Sequence, residues 1–209
     1  MRKLFRSLLV DSISILTGRR LVTRLPRSSQ TLYLTFDDGP DPRETPRLLE
    51  LLAQFDIKAT FFMVGQTAER HPLVAKAIAN AGHTIANHSM SHPWFNRLSM
   101  RQQIQEIEAA DKELERCDGN PRHLFRPPHG KWTVFTLVAC LLRSQKLVLW
   151  SHDSLDYRLS AEHVIAHLRS RTMRSGDILL FHDDGPVARE TLRQLVPEWK
   201  LAGFGFSAL

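Results

Sequence analysis

Short apolar runs alternate with stretches of helical periodicity from residue 31 onward. The apolar runs are typical of seven strands: TLYLTF, ATFFMV, HTIANH, HLFRPP, KLVLWS, DILLFH and GFGFSA. Helices are predicted between them, near residues 45–55, 67–81, 99–116, 132–143, 161–173 and 187–200. Strands that alternate with helices of this length favour parallel pairing through right-handed crossovers. The pattern therefore predicts an α/β fold, either a barrel or a doubly wound sheet.

Polar residues at three of the predicted helix starts are candidate N-caps. Ser99 precedes the third helix, and Thr67 and Ser160 are placed to cap two others. Residues 31–209 contain no Pro/Gly/Ser-rich linker and no low-complexity tract. We therefore expect this body to be a single domain.

The net charge of +6 is concentrated at the start of the chain. Residues 1–27 hold seven arginine and lysine side chains against a single aspartate, Asp11. The rest of the chain carries equal numbers of basic and acidic side chains. Because the body has no basic excess, the charge does not favour nucleic acid as a partner.

The leading segment, residues 1–29, is basic and amphipathic. Asp11 interrupts its apolar run, no small-residue cleavage site follows, and the run is too short and too charged to span a bilayer. The favoured interpretation is an amphipathic helix packed on the body. Peripheral membrane association through residues 1–25 is the first alternative, and a degenerate export signal is the second. The expected location is the cytoplasm or the inner face of the cytoplasmic membrane, with periplasmic export as the alternative.

Polar side chains cluster where the predicted strands end. In barrels and open α/β sheets, reactive groups gather at the C-terminal ends of the strands. DDGP occurs twice at such positions, once after the first strand and once after the sixth, and part of this similarity is turn chemistry. The polar residues expected along this rim are Asp37, Asp38, His88, His92, Arg126, Asp153, Asp156 and His182.

A metal ion explains this density of polar groups. His88 and His92, together with one aspartate of the first DDGP, would suit Zn²⁺ or another divalent transition ion. The spacing alone is weak evidence, because His163 and His167 repeat it on a predicted surface helix, where we interpret it as structural.

The acidic pair after the first strand can divide two tasks. Neighbouring side chains at a strand end point to opposite faces, so one carboxylate can ligate the metal while the other acts as general base toward a bound water. His182 is the candidate acid for the leaving group.

Five motifs, TFDDGP, HSMSH, RPPHG, DSLDY and LLFH, resemble in order and spacing those of polysaccharide deacetylases. This family is also called carbohydrate esterase family four or the NodB-homology domain, and the resemblance covers residues 30–209. It implies a distorted (β/α) barrel with about seven parallel strands. It also implies metal-dependent removal of an N- or O-linked acetyl group from a sugar, with Zn²⁺ as the favoured ion and Co²⁺ as an alternative.

The resemblance also assigns roles by position. Asp37 would be the general base, held by Arg126, and His182 the general acid, held by Asp156. The implied metal ligands are Asp38, His88 and His92. The implied substrate-binding residues are Pro127, His129 with its backbone N–H as oxyanion donor, Tyr157 and Leu180.

Two positions depart from the family pattern. His129 stands where tyrosine is usual after RPP, and Tyr157 stands where tryptophan is frequent after the second aspartate of the fourth motif. Neither change removes a catalytic group, so we expect activity with altered substrate contacts.

The expected substrate is an N-acetylglucosamine-type oligosaccharide or a lipid-linked glycan. One alternative is a related metal hydrolase that cleaves a formamide or a cyclic imide. A second is a catalytically silent sugar-binding protein of the same fold, although no ligand or base is missing.

Overall fold

Parallel strands form the framework of the computed structural model, which describes residues 20–26 and 30–209. The strands are β1 (Leu21–Val22), β2 (Thr31–Asp37), β3 (Thr60–Met63), β4 (Thr84–Asn87), β5 (Leu147–Val148), β6 (His152–Asp153), β7 (Ile178–His182) and β8 (Gly205–Phe206). The main sheet has the order β4-β3-β2-β7-β6, and β1 pairs with β5. All of these pairings are parallel.

Isolated bridges link the two groups of strands, including an antiparallel one between Arg24 and Asp177. Phe125 forms parallel bridges to Asn87 at the end of β4 and to Leu147 in β5. The strands thus curve into a distorted barrel, and no ladder among the described residues joins β5 to β6. The predicted α/β barrel is confirmed.

Three strand predictions need correction. The predicted strand over residues 123–128 contributes only the bridges of Phe125, because Pro127 and Pro128 have no N–H to donate to a ladder. Strand β6 lies in a stretch that was not predicted to be extended. The predicted last strand shortens to β8, which pairs with the start of β2, outside the main path.

The helices follow the predicted alternation. They are α1 (Glu44–Gln54), α2 (Gly65–Arg70), α3 (Pro72–Asn80), α4 (Met100–Asp118), α5 (Val134–Leu142), α6 (Ala161–Arg169) and α7 (Val187–Leu201), with short 3₁₀ turns at Phe95–Arg97 and Pro128–Gly130. The single helix predicted over 67–81 is two helices. His71 leaves the helical conformation at φ −128°, and Pro72 starts α3 because its missing N–H costs nothing there.

One of the three predicted caps is confirmed in full. Ser99 forms a capping box with Gln102: the Gln102 N–H donates to Ser99 Oγ at 3.4 Å, and the Ser99 N–H donates to Gln102 Oε1 at 2.9 Å. Ser160 precedes α6 but makes no side-chain cap. Thr67 is not a cap, since it lies inside α2 and its hydroxyl donates to the Gly39 carbonyl at 2.6 Å.

Side chains of β2 alternate between two environments. Leu32, Leu34 and Phe36 pack in the main hydrophobic core beneath the helices. Thr35 and Asp37 point to the other side, where both contact the buried guanidinium of Arg126. This alternation delivers Asp37 to the barrel interior at the C-terminal end of β2.

The described part of the leading segment packs on the body. Leu21 and Val22 are buried in β1, and Arg24 Nε lies 2.6 Å from Asp177 Oδ1. Residues 1–19 and 27–29 lie outside the described residues, so the amphipathic helix and the domain boundary at residue 29 stay predictions. In the part of the chain that the structure describes, no helix is long and apolar enough to cross a membrane.

Candidate active site

The ends of β2 and β7 bring the candidate base and the candidate acid together. Asp37 and His182 are register partners in the parallel ladder between these strands. Side chains of paired residues in a parallel ladder project on the same side of the sheet. The two groups therefore face one pocket from adjacent strands.

Asp37 is buried, and in the described part of the chain a hydrogen bond reaches only one of its carboxylate oxygens. Arg126 Nη1 donates to Asp37 Oδ1 at 2.6 Å and to Thr35 Oγ1 at 2.9 Å. The second oxygen, Oδ2, lies 3.7 Å from His88 Nε2 and faces the pocket side. This arrangement fixes the carboxylate while it leaves Oδ2 available to accept a proton.

Arg126 itself is fully buried, with 0% of its side chain exposed. Its guanidinium lies 3.9 Å from the centre of the Phe62 ring and donates to the carbonyls of Val148 at 3.3 Å and Leu149 at 3.1 Å. A buried cation this well satisfied is a rigid support for the carboxylate beside it.

Asp38 turns back toward the same pocket as Asp37. Strand alternation alone would direct the two side chains to opposite faces, but Asp38 has φ +77° and leaves the strand conformation. Its Oδ1 lies 3.0 Å from His92 Nε2 and 3.4 Å from His88 Nε2. Ligand atoms of the three residues lie within 4.8 Å of one another, which is the geometry of a candidate metal site.

The donor atoms of this cluster fit a divalent metal. His88 Nδ1 lies 2.8 Å from the Arg126 carbonyl, which can only accept, so Nδ1 carries the proton and the Nε2 lone pair faces the cluster. Asp38 Oδ1 is buried and accepts no hydrogen bond from the described residues. Burial opposes ionisation of Asp38, but when His88 and His92 are protonated their charge outweighs burial and holds the pKa of Asp38 well below the usual range.

A chain of hydrogen bonds holds the loop that carries both histidines. The Ser89 N–H donates to Asn87 Oδ1 at 2.7 Å, and the His92 N–H donates to Ser89 Oγ at 3.1 Å. Asn87 Nδ2 in turn donates to Asp111 in α4 at 2.8 Å. The loop is thereby tied to a buried position of a long helix, which restricts where His92 can lie.

His182 is prepared to carry a proton. Its Nδ1 lies 2.7 Å from Asp156 Oδ1, and its backbone N–H donates to Asp156 Oδ2 at 2.8 Å. Burial disfavours the imidazolium, but the hydrogen bond and charge of Asp156 outweigh burial and raise the pKa of His182 to about 9. The second ring nitrogen, Nε2, lies on the side of the candidate metal ligands, 4.0 Å from Asp38 Oδ2.

The residues surround a pocket of about 320 Å³. It is lined by Asp37, Asp38, His88, His92, His129, Gly130, Trp150, Asp153, Tyr157, Leu180 and His182. Arg126, Asp156 and Pro127 are buried and do not line the pocket, but Arg126 and Asp156 hydrogen-bond to the lining residues Asp37 and His182. The structure therefore brings together the predicted base, the predicted acid, the predicted metal ligands and most of the predicted substrate-binding residues.

Comparisons with known proteins identify the relatives of this chain. A sequence model of the polysaccharide deacetylase family matches residues 24–140. A peptidoglycan-N-acetylglucosamine deacetylase of Bacillus cereus is 35% identical over 188 residues, which cover 87% of this chain and 87% of that protein. The chain belongs to the polysaccharide deacetylase family. It is a hydrolase of the deacetylase class.

Two further relatives resemble this deacetylase. A chitooligosaccharide deacetylase of Sinorhizobium fredii is 32% identical over 169 residues, covering 80% of this chain and 78% of that protein. A crystal structure of a peptidoglycan N-acetylglucosamine deacetylase, solved with a naphthalenyl N-hydroxybenzamide, superposes with a TM-score of 0.88 at 30% identity and covers 94% of each chain.

The two departures from the family pattern lie at the pocket mouth. The His129 ring stacks on Trp94 with centroids 4.1 Å apart and meets the His92 ring edge-on at 4.5 Å. Tyr157 is exposed, and its ring meets His182 edge-on at 5.3 Å. In this deacetylase an imidazole and a phenol thus border the entrance.

The second DDGP of the deacetylase supports the first. Asp183, buried next to His182, accepts a hydrogen bond from the Thr45 hydroxyl. A Cβ at Gly39 would collide with the Asp183 carboxyl group. Gly39 in the first copy is thus required for the close contact with Asp183 in the second. The sequence alone indicated only a turn at this position.

Several residues of the site carry no motif signal. Thr35 and Trp150 were not singled out for the site, although Thr35 accepts from Arg126 and Trp150 lines the pocket. The strand alternation that places Asp37 inside also places Thr35 there, and could have identified it. The His163 and His167 pair lies on α6, outside the pocket lining, where His167 Nε2 bonds the Asp153 carbonyl at 3.2 Å.

Proposed function

We propose that this deacetylase hydrolyses the N-acetyl group of an N-acetylglucosamine-type oligosaccharide or lipid-linked glycan. The observation that carries the proposal is the placement of Asp37 Oδ2 and His182 Nε2 on adjacent strand ends, around the Asp38, His88 and His92 cluster. An amide hydrolysis needs a proton acceptor and a proton donor on either side of the scissile bond.

The proposed reaction starts at Asp37. Asp37 Oδ2 takes a proton from the attacking water as its oxygen bonds to the acetyl carbon, and Arg126 keeps the carboxylate in place. His182 Nε2–H then donates its proton to the amine nitrogen as the C–N bond breaks, while Asp156 stabilises the imidazolium. Acetate and a free amino sugar are the products. The His129 backbone N–H is the proposed donor to the developing oxyanion.

Asp38, His88 and His92 are the proposed ligands of a divalent metal, with Zn²⁺ favoured and Co²⁺ as the alternative. When bound, such an ion supplies Lewis acidity toward the acetyl oxygen and lowers the pKa of a coordinated water toward ~7. One carboxylate and two imidazoles with open positions are typical of such hydrolytic sites.

The proposed substrate class follows from the pocket and from the relatives. Proteins similar to this chain act on peptidoglycan N-acetylglucosamine and on chitooligosaccharides. A pocket of about 320 Å³ has room for an acetylated sugar unit rather than a long buried chain. Tyr157 and Leu180 are the proposed walls for the acetyl methyl group.

Acetate release from a defined substrate panel tests the proposal. The panel comprises N-acetylglucosamine oligomers, peptidoglycan fragments and O-acetylated xylan, each with and without chelator. We expect release from the N-acetylated oligomers, abolished by chelation and restored by Zn²⁺ or Co²⁺. Preference for cross-linked peptidoglycan over oligosaccharides would contradict the substrate class, and release from xylan alone would contradict the N-acetyl assignment.

Formamide and cyclic imide substrates form a second panel with the same enzyme. Turnover of these and of no acetylated sugar would move the assignment to a non-acetyl C–N bond. Saccharide binding without any turnover would identify a silent sugar-binding protein.

The proposed location is the cytoplasm or the inner face of the cytoplasmic membrane, with peripheral association through residues 1–25. The support is the basic, amphipathic sequence of this segment. Fractionation of cells that express the full chain, followed by salt washes of the membranes, tests it. Recovery in the periplasm would identify export instead.

A further inference from the structure

Helix α5 is apolar on its outer face as well as on the face that packs against the core. Leu137 and Cys140 are buried in a hydrophobic cluster with strands β1 and β5. The helix has no charged residue from Val134 to Leu142. Surface helices of globular proteins normally present polar or charged side chains to solvent, so this composition is unusual for an exposed helix.

The exposed apolar side chains form one stripe. Val134, Phe135, Leu141 and Leu142 are 70%, 58%, 37% and 69% exposed, respectively. Their spacing, completed by the half-buried Val138, is that of a single helical face, which we call the outer face of α5.

Other exposed apolar residues of the described chain do not form such a stripe. Leu73 on α3 is 82% exposed and Leu201 at the end of α7 is 89% exposed, and they lie on different helices. Single exposed leucines are ordinary, whereas a contiguous apolar face marks a contact surface.

The outer face of α5 lies between the pocket and the start of the described chain. At the N-terminal end, α5 follows the loop that carries His129 and Gly130 of the pocket lining. Beyond the C-terminal end, the Ser144 carbonyl accepts a hydrogen bond from Arg20 Nη1 at 2.5 Å. The described chain therefore begins close to the C-terminal end of α5.

Charge indicates what the face contacts. The whole net charge of +6 resides in residues 1–27 of the sequence, and the described chain begins at Arg20, whose side chain contacts Ser144 just beyond α5. Exposed Lys131 and Lys146 flank the helix in sequence, and Glu108 is already paired with Arg143 at 2.5 Å. An apolar face with cations around it matches a bilayer surface that carries anionic headgroups.

We propose that the outer face of α5 docks on an anionic lipid bilayer, with Lys131 and Lys146 beside the helix facing the headgroups. Apolar side chains then enter the boundary between headgroups and acyl chains, and the pocket mouth is held near the membrane surface. The proposal builds on the lipid-linked substrate of the proposed function and supplies a surface for it. Docking is measured without substrate, so the two proposals fail independently.

Co-sedimentation of the full chain with vesicles tests the docking surface. The vesicles contain phosphatidylcholine alone or phosphatidylcholine with phosphatidylglycerol. The variant is Phe135→Ser with Leu142→Ser, and the matched control is Leu73→Ser with Leu201→Ser. We expect the wild type and the control to bind the anionic vesicles equally, and the α5 variant to bind at least about tenfold more weakly. The fold of the α5 variant is checked by its circular dichroism melting curve and by its turnover of a soluble oligosaccharide. Both should equal those of the wild type.

Three results would overturn the proposal. The first is equal vesicle binding by the wild type and the α5 variant, or no binding by the wild type. The second is a wild-type dimer that the α5 variant converts to a monomer, which would make a second copy the occupant. The third concerns amide hydrogen exchange of residues 134–142. If these amides are protected without lipid and lose that protection when residues 1–19 are deleted, residues 1–19 are the occupant of the outer face of α5.

Discussion

Two aspartates of the site are buried in different ways. Asp37 has a fully buried guanidinium as its partner at 2.6 Å. Asp183 has a hydroxyl partner in Thr45, and its Oδ1 accepts no hydrogen bond from the described residues. Because burial without a cation disfavours charge, the pKa of Asp183 rises to about 7. The first carboxylate is suited to chemistry, and the second is a structural group under the Gly39 turn.

Replacement of Asp183 by asparagine should change how stability depends on pH. The raised pKa means that the folded state favours the protonated carboxyl, so wild-type stability is lost as the pH rises from about 4 to about 7. Asp183→Asn stays neutral at both pH values. Relative to the wild type, its free energy of unfolding should therefore be up to about 4 kcal/mol higher at pH 8 than at pH 4, because a pKa shift contributes about 1.4 kcal/mol per unit. Urea unfolding at both pH values measures this difference. The exposed aspartate variant Asp56→Asn is the control. A difference in unfolding free energy between Asp183→Asn and the wild type that is the same at pH 4 and pH 8 would refute the assignment.

Removal of the Arg126 cation should leave the buried Asp37 carboxylate without an ion-pair partner. Breaking a buried ion pair from one side costs about 3–5 kcal/mol, so Arg126→Leu should lower the free energy of unfolding by that amount. Addition of Asp37→Asn to Arg126→Leu should restore part of the loss, because the unpaired charge is gone. A double-mutant cycle by urea unfolding measures the coupling. Simple additivity of the two losses would contradict a direct pair.

At the scale of elements, sequence reasoning succeeded where periodicity and punctuation agree. The long helix α4 has its Ser99 cap and its C-terminal Gly119 at φ +77°, and its limits lie close to the predicted ones. The predicted strand over 123–128 failed because the prolines that make the RPPHG motif recognisable also remove ladder donors. Strand β6 is only His152–Asp153 and depends on its pairing with β7, which no local pattern encodes.

The two serines that precede helices should differ in their contribution to stability. Ser99 closes a capping box, whereas Ser160 makes no cap hydrogen bond and instead contacts His163 Nδ1 at 2.8 Å. Ser99→Ala should lower the free energy of unfolding by about 1 kcal/mol, and Ser160→Ala should have a smaller effect. Chemical denaturation of both variants measures the contrast. A loss for Ser160→Ala as large as that for Ser99→Ala would contradict a stabilising role of the Ser99 capping box.

At the scale of the molecule, the rim of the barrel was predictable because parallel strands place their C-terminal ends together. That rule brought Asp37, His88 and His182 to one pocket from distant parts of the sequence. The contacts that depend on a local backbone turn or on side-chain packing were not predictable. They include the reversal of Asp38 at φ +77° and the stacking of His129 on Trp94.

The most direct test of the proposed chemistry is acetate release measured together with metal content on a soluble N-acetylglucosamine oligomer. Asp37→Asn should keep the wild-type metal content and lose ~10²–10⁴-fold of the turnover, because its proton acceptor is gone while Asp38, His88 and His92 remain. His92→Ala should lose both metal and turnover. Equal metal loss in the two variants, or undiminished acetate release by Asp37→Asn, would contradict the division of roles between Asp37 and Asp38.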